Sequence, residues 1–533
     1  MTWAVRKACS KRRLAGALTL LAVVASGWGS LVSANAAVQS KPSKPQRGGT
    51  LTFLLQGDAS TGYDPAKTTQ ATALAVDSTI FNTLIDETPQ GGLTPELATS
   101  WTISANGLAY TFHIRQGVKF SNGDPLTASD VVFTVDRLQN PATGSPEASA
   151  YQGISASAPN SSTVVLKLTK PFSPLLDYLA NISASIVWPA GVNTPGGMAD
   201  HPVGTGPFEL QSWTPNQNLT LVRNPDYWQP DRPYLNKVVF TFTASPSMRI
   251  AELQAGTVDF LYGAPDTSLG VLKADPALDV YGGGGQETFD YLWLNSSLAP
   301  LQSPLVRQAV YWALNRSVIA QAGGPTGLAS PLNSGFLPSD YWVGTPKPIY
   351  HQDYAKSKRL LAEAGYPQGI SFAINVPGDA SPFQVTTAEV IQEELKPAGI
   401  NATLNILNAP QLLADEFAHK FQAQVLGQPA TVSPYQTFQE YFLPGGGQND
   451  TGFHDAHLDR LLAEALASTR LPKQAALYRA AEERLADVGT MAFLFSWSNI
   501  DVLQKFVKGY VYSPFQISYS SLEDVWLAPH AGS

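Results

Sequence analysis

Between Leu93 and Leu138 the chain alternates, turns, and then changes period. Leu108, Tyr110, Phe112 and Ile114 alternate with Ala109, Thr111, His113 and Arg115, the two-residue period of a half-buried strand. Asn106-Gly107 and Asn122-Gly123 stand where turns need a positive φ. Thr127 is placed to cap a helix, with Asp130 three residues on as a short-armed capping box. Val131, Val132, Val135 and Leu138 then share one apolar helical face.

The same patterns predict a strand-rich first half. Strands are expected over Thr50–Gln56, 164–168, 186–189, 219–223, 238–243 and 258–261, with short helices over 71–84, 171–179 and 248–255. The loop from Pro202 to Phe208 has the glycines of a phosphate loop but no Lys-Ser/Thr, and Pro207 removes an N–H, so it reads as a structural turn. Gly282 to Gly285 is the most permissive backbone in the chain, and an apolar strand, 289–295, follows it. Beyond it the texture changes. A long helix is expected over 305–322 and another over 354–364, ended by Gly365. Strands 371–376, 402–407 and 423–426 alternate with helices 387–398 and 411–420, which implies right-handed crossovers and a parallel sheet. Helices 456–467 and 473–488 come next, and the tail from Phe493 to Leu527 is again strand-like and aromatic.

Several phrases, in this order, carry a resemblance: PELATSW, LAYTFHIRQGVKFSNGDPLTASDVVFTVDRL, PVGTGPFEL, LVRNPDYW with RPYLNKVVF, VRQAVYWALNR and AKSKRLLAEAGYP. Together they resemble the peptide/nickel-type family (family 5) of extracellular solute-binding proteins, the receptors of ABC importers for oligopeptides, dipeptides and nickel. The resemblance covers essentially the whole mature chain. It implies a mixed α/β fold of the periplasmic-binding-protein type II kind, with two hinged lobes and an extra N-terminal subdomain. The expected division is a signal peptide at 1–36 and lobe I at 37–285, with the subdomain at about 66–200. Lobe II, the α/β part, spans 286–496, and 497–533 returns to lobe I.

The N-terminus adds location. Arg6, Lys7, Lys11, Arg12 and Arg13 precede an apolar run from Leu14 to Val24, and Ala34-Asn35-Ala36 is a cleavage site. That run is too short for a membrane span. The single cysteine, Cys9, lies before the run, so the mature chain has no disulfide and no cysteine at the cleavage junction to acylate. A periplasmic protein, not a lipoprotein and not membrane-inserted, is expected, with extracellular release as the alternative. The whole chain carries −8, and without residues 1–36, which hold five basic and no acidic residues, it carries −13. No basic stripe is present to bind nucleic acid.

The chemistry of a ligand site is read from two sources. In an open parallel sheet, ligands bind beyond the carboxyl ends of the strands, which selects the loops 377–382 and 427–434. The resemblance implies that dipeptide receptors carry an arginine in the first loop and an aspartate in the second. Here Gly378 and Thr431 stand at those places, near Gly427 and Gln428. A charged ligand terminus buried without a partner is costly, so a free dipeptide is not the expected ligand. A longer or blocked peptide, an oligosaccharide or a metal chelate is. The resemblance also puts the loop 57–63, with Asp58 and Tyr63, near the cleft; a surface turn is the alternative. Trp293, Asn295 and Trp497 are further candidate contacts, set against ordinary core packing for the aromatics.

No G-x-S-x-G, H-E-x-x-H, P-loop or dinucleotide fingerprint occurs in the mature chain, so no enzyme activity, cofactor or resident metal is expected. His454-Asp455-Ala456-His457 is the one metal-like cluster, and it reads as a helix start capped by Asp455. The expected function is capture of a peptide or small solute by hinge closure and delivery to the importer's permease subunits, by a monomer. A sensor or chaperone role shares these features, and a secreted hydrolase would need a nucleophile or carboxylate pair that the pattern does not offer.

Overall fold

The fold is seen in a computed structural model, which describes residues 44–89, 91–282, 288–324, 327–337, 342–344, 349–378, 382–429, 433–449, 451–513 and 522–529. The predicted signal peptide, the glycines 283–285 and Thr431 lie outside the described residues. Pro45–Ser533 forms one compact unit; the other unit, Met1–Lys44, contributes only Lys44 to the description.

Three sheets organise the unit. In the four-stranded sheet, Ala98–Ile103, Ala109–Ile114, Thr163–Leu168 and Ile154–Asn160 pair antiparallel in that spatial order. Tyr110, Phe112 and Ile114 turn inward under it, as their alternation requires. Helix Ala128–Gln139 follows, with the capping box in place: Thr127 N–H donates to the Asp130 carboxylate at 2.7 Å. Val131, Val135 and Leu138 of this helix are buried against the sheet.

The seven-stranded sheet is built around Thr50–Leu55, which pairs parallel with Lys237–Phe242 and Phe260–Leu261. Its other members include Asp501–Gln504, from near the end of the chain, which lies between Phe260–Leu261 and Leu278–Tyr281. The loop at Pro202–Phe208 is structural, as predicted. A Cβ on Gly204 would lie 2.1 Å from the Ile80 carbonyl oxygen, and the Gly206 N–H donates to that oxygen at 2.8 Å.

The six-stranded sheet has the order Ser330–Pro331, Met491–Trp497, Thr288–Leu294, Ala423–Pro429, Ile370–Pro377, Ile400–Leu407. The last three run parallel, as the alternation of strands and helices predicts, and Thr288–Leu294 runs against its neighbours. Leu292 and Leu294 face a core covered by helices Pro304–Ala313 and Pro382–Leu395, while Phe289, Tyr291 and Trp293 face a second, aromatic core.

Three elements differ from the sequence reading. The predicted helix 305–322 is two helices, Pro304–Ala313 and Arg316–Gly323, because the Asn315 side chain accepts from the Ser317 and Val318 N–H groups and restarts the helix. Residues 186–188 are not a strand. They run irregularly, with the Ile186 N–H donated to Asn82 and the Val187 N–H to the Thr134 hydroxyl. Helix Pro434–Phe442 follows the predicted loop 427–434 in a stretch where no element was predicted, although Tyr435, Phe438, Tyr441 and Phe442 carry its period and are buried.

Candidate functional site

The strand directions bring one set of ends together. The carboxyl ends of Ile370–Pro377, Ala423–Pro429 and Met491–Trp497 meet the amino end of Thr288–Leu294 at a single edge of the six-stranded sheet. Gly378, Gly427, Gln428, Thr288 and Trp497 therefore sit along that edge. The two large sheets are linked in sequence here: Thr288 and Trp497 pair at this edge, while Tyr281 and Asp501 pair in the seven-stranded sheet.

Each position has a local reason. The Gly378 N–H donates to the Leu407 carbonyl at 2.8 Å, and a Cβ at 378 would lie 2.5 Å from Ile406 Cγ2. A side chain at 378 would therefore have to turn aside that of Ile406, which is 59% exposed. Gly427 pairs with Asp290 in the ladder, and a Cβ there would lie 3.0 Å from Asp290 Oδ1. The missing side chain leaves room for a carboxyl. Asp290 is only 5% exposed, and its Oδ2 accepts the Trp497 indole N–H at 3.0 Å. Burial pushes the Asp290 carboxyl up to about 7, and the indole bond only partly offsets this. Gln428 is half-buried on the opposite face, in register with Phe289.

Asp290 is the functional candidate that sequence reasoning passed over. Its signal was legible: one acid inside the apolar strand TFDYLWL. Such a group stays in a strand interior only with a partner or a purpose.

The other predicted contacts are placed elsewhere. Both oxygens of Asp58 are engaged, by the Ala59 N–H at 2.8 Å, the Tyr63 hydroxyl at 2.6 Å, the Trp213 indole N–H at 2.9 Å and the Asn216 N–H at 2.7 Å. Tyr63 is fully buried in the core of the seven-stranded sheet. Trp293 lies in the aromatic core, its ring 5.1 Å from that of Phe421. Asn295 is buried and closes a turn, donating to the Phe421 carbonyl at 2.8 Å and accepting from the Ser297 N–H at 2.9 Å. These four residues hold the framework behind the edge. The structure brings Gly378, Gly427, Gln428 and Trp497 together and leaves Asp58, Tyr63, Trp293 and Asn295 out of their group.

At the histidine pair, Asp455 caps helix Ala456–Ala467 by accepting the Leu458 N–H at 2.8 Å, as predicted, and pairs with Arg484 at 2.6 Å. Arg484 holds the Asp455 carboxyl down at about 2. Among the described residues no group of three or more His, Cys, Asp or Glu side chains is arranged to hold a metal ion.

Residues 92–450, well over half of the chain, match the family model for bacterial extracellular solute-binding proteins, family 5 Middle. The chain belongs to this family. Family-5 relatives extend the match beyond that segment. The glutathione-binding protein GsiB of Escherichia coli (strain K12) is 27% identical over 441 residues, covering 80% of this chain and 85% of its own. The periplasmic binding protein AgaA of A. tumefaciens R10, solved with agropinic acid, is 26% identical with a TM-score of 0.70, covering 91% of this chain and 99% of its own. DppA of Helicobacter pylori, an ABC transporter-associated periplasmic binding protein solved with the peptide STSA, gives the same identity, TM-score and coverage. The protein is therefore a solute-binding receptor of mixed α/β fold, in agreement with the resemblance read from its sequence.

Proposed function

We propose that this family-5 protein is the extracytoplasmic receptor of an ABC importer. It captures a peptide or other small solute at the shared edge of the six-stranded sheet, closes on a hinge, and presents the solute to the membrane permease subunits. The reading rests above all on one observation: the strand ends carrying Gly378, Gly427, Gln428 and Trp497 meet beside the Thr288–Trp497 pair, whose sequence neighbours Tyr281 and Asp501 pair in the other large sheet. Motion of the two sheets about that pair would open or cover that edge. Residues 37–285 and 497–533 then form lobe I, with the subdomain at about 66–200, and 286–496 form lobe II. Sheet membership supports this division, since the six-stranded sheet takes all its strands from 288–497.

Thr431 and Asp290 complete the ligand edge in this reading. The Asp290 carboxyl supplies an acceptor for a ligand N–H or ammonium, and at Gly378 no side chain offers a cation to a ligand carboxylate. The ligand is a blocked or longer peptide, or another solute that turns donors toward Asp290, and not a free dipeptide. The glutathione, agropinic acid and STSA named for the relatives differ so widely that family membership does not select among them. Export through the cleavable signal peptide puts the protein in the periplasm as a soluble monomer. Among the described residues no helix is long and apolar enough to cross a membrane.

Native mass spectrometry of the purified protein, followed by denaturation, should release a co-purified solute for identification. A thermal-shift panel then tests the class. Blocked peptides should raise the Tm and free dipeptides should not; dipeptides that raise it as strongly as any other class would refute the ligand assignment.

A further inference from the structure

A cavity of about 240 Å³ lies between the four-stranded sheet and the start of helix Leu471–Val488 with the Ser468-Thr469 turn before it, and it shares no lining residue with the ligand edge. Its walls come from two separate cores. Trp101, Ile103 and Tyr110 belong to the core under the four-stranded sheet, and Trp342 and Tyr478 to the aromatic core. Trp342 and Tyr478 meet edge to face with ring centroids 6.2 Å apart, and Tyr478 is held from behind by stacking on Phe438 at 6.0 Å. The Tyr110 hydroxyl is turned away, donating to the Phe172 carbonyl at 3.3 Å.

Into these aromatic walls the short helix Leu175–Ala180 sets one carboxyl, Asp177. No described lysine, arginine or histidine lines the cavity. The titratable groups that face Asp177 are Glu87, Tyr110, Tyr178 and Tyr478, so no cation answers it from any packed element. No side-chain hydrogen bond to the Asp177 carboxyl is found among the described residues, and burial alone pushes it up to about 8. Such a carboxyl is neutral near pH 7 while the cavity is empty and would be ionised by a cation held beside it. Ring faces attract cations and repel anions, and they do so best for a weakly hydrated cation. A primary ammonium brings three N–H donors that need acceptors, and aromatic walls offer few. A quaternary ammonium brings none.

We propose that this cavity is a second binding site, for a quaternary ammonium group, with Asp177 as its counter-ion and Trp101, Tyr110, Trp342 and Tyr478 as its cage. The ligand's arrival ionises Asp177, so near neutral pH binding releases one proton to solvent. Affinity rises with pH until the empty carboxyl is itself ionised. An occupant also bridges the four-stranded sheet and helix Leu471–Val488, since each contributes part of the wall.

The test uses the mature full-length protein and choline, with 3,3-dimethyl-1-butanol as the neutral isostere that replaces the nitrogen by carbon. Calorimetry should show choline binding at least about 10-fold tighter than the isostere. Its affinity should rise about 10-fold between pH 6.5 and pH 8, with proton release seen by repeating the titration in buffers of different ionisation enthalpy. Asp177→Asn should bring choline down to the level of the isostere while far-UV circular dichroism stays unchanged. Trp101→Leu is the second variant and should weaken choline at least about 5-fold. Absence of choline binding, equal binding of the isostere, a pH-independent affinity, or wild-type affinity in a folded variant would each overturn the proposal.

Discussion

Asp290 shows how one residue can connect stability and binding. Its carboxyl has an ordinary value of 3.8 and stands at about 7 in the folded protein. The folded state thus keeps a proton that the unfolded chain has already lost, so this group stabilises the fold least at high pH. Its contribution is full below pH 4 and is lost as the pH rises toward 7. Asp290→Asn should therefore stabilise the protein on the order of 2 kcal/mol more at pH 8 than at pH 5, measured by urea melts at both values. Trp497 fluorescence should titrate near pH 7 in the wild type and not in the variant, because its indole N–H donates to this carboxyl. At Gly378 the steric argument leads to a different outcome. Gly378→Arg restores the family arginine but places a Cβ 2.5 Å from Ile406. Because Ile406 is 59% exposed and can turn aside, it should cost about 1 kcal/mol or less, and an arginine alone should fail to confer dipeptide binding, by denaturant melts and calorimetry.

Helix ends are where local sequence and tertiary demand meet most visibly. Thr127 with Asp130 and Asp455 alone were both legible as caps, since a short polar side chain before an apolar period has few other uses. Asp455→Ala should lower stability by about 1 kcal/mol through the cap, with some further loss from the half-exposed Arg484 pair. Because Arg484 holds the folded Asp455 at about 2, this stabilisation is present above pH 4 and fades as the pH falls toward 2, which acid melts of variant and wild type will check. Asn315 offered the same kind of signal, and the apolar period across 305–322 hid it. Only the packing of Arg316–Gly323 against Pro382–Leu395, with the Arg316 guanidinium donating to the Phe493 carbonyl at 2.7 Å, shows why the helix must restart. Helix Pro434–Phe442 was legible too, from Gln436, Gln439 and Glu440 between aromatics at helical spacing, but the β-branched and aromatic residues of so short a stretch lower its propensity.

At the scale of the whole molecule, buried acids set the pH behaviour. Glu87, Glu96, Asp177 and Glu482 are each pushed by burial up to about 8, and Asp501 to about 6. All bind protons more tightly folded than unfolded, so all favour the fold at low pH and lose that contribution between about pH 4 and pH 8. The Tm should be a few degrees higher at pH 5.5 than at pH 8.5, and equal or lower Tm at pH 5.5 would contradict the burial of these groups. The hinge belongs to this scale as well. If the two large sheets close on one another about the Thr288–Trp497 pair, the radius of gyration from solution scattering should fall when the identified solute is added. An unchanged radius would refute the closure.

Strand and helix periods, the order of elements, the parallel sheet and the family could all be read along the chain, because each depends on residues a few positions apart or on phrases that stand unbroken in this sequence. The edge positions Gly378, Gly427 and Gln428 were legible for the same reason: they follow predicted strands of a predicted parallel sheet. What the tertiary structure alone decided is which of the candidate side chains remain available. Asp58, Tyr63, Trp293 and Asn295 are engaged or buried by partners as far as 158 residues away, and no period reveals that. Asp290 gains its place from a glycine opposite it in another strand and an indole from a third. Burial and hydrogen-bond satisfaction are sums over neighbours from the whole chain, so they exist only once the sheets have formed.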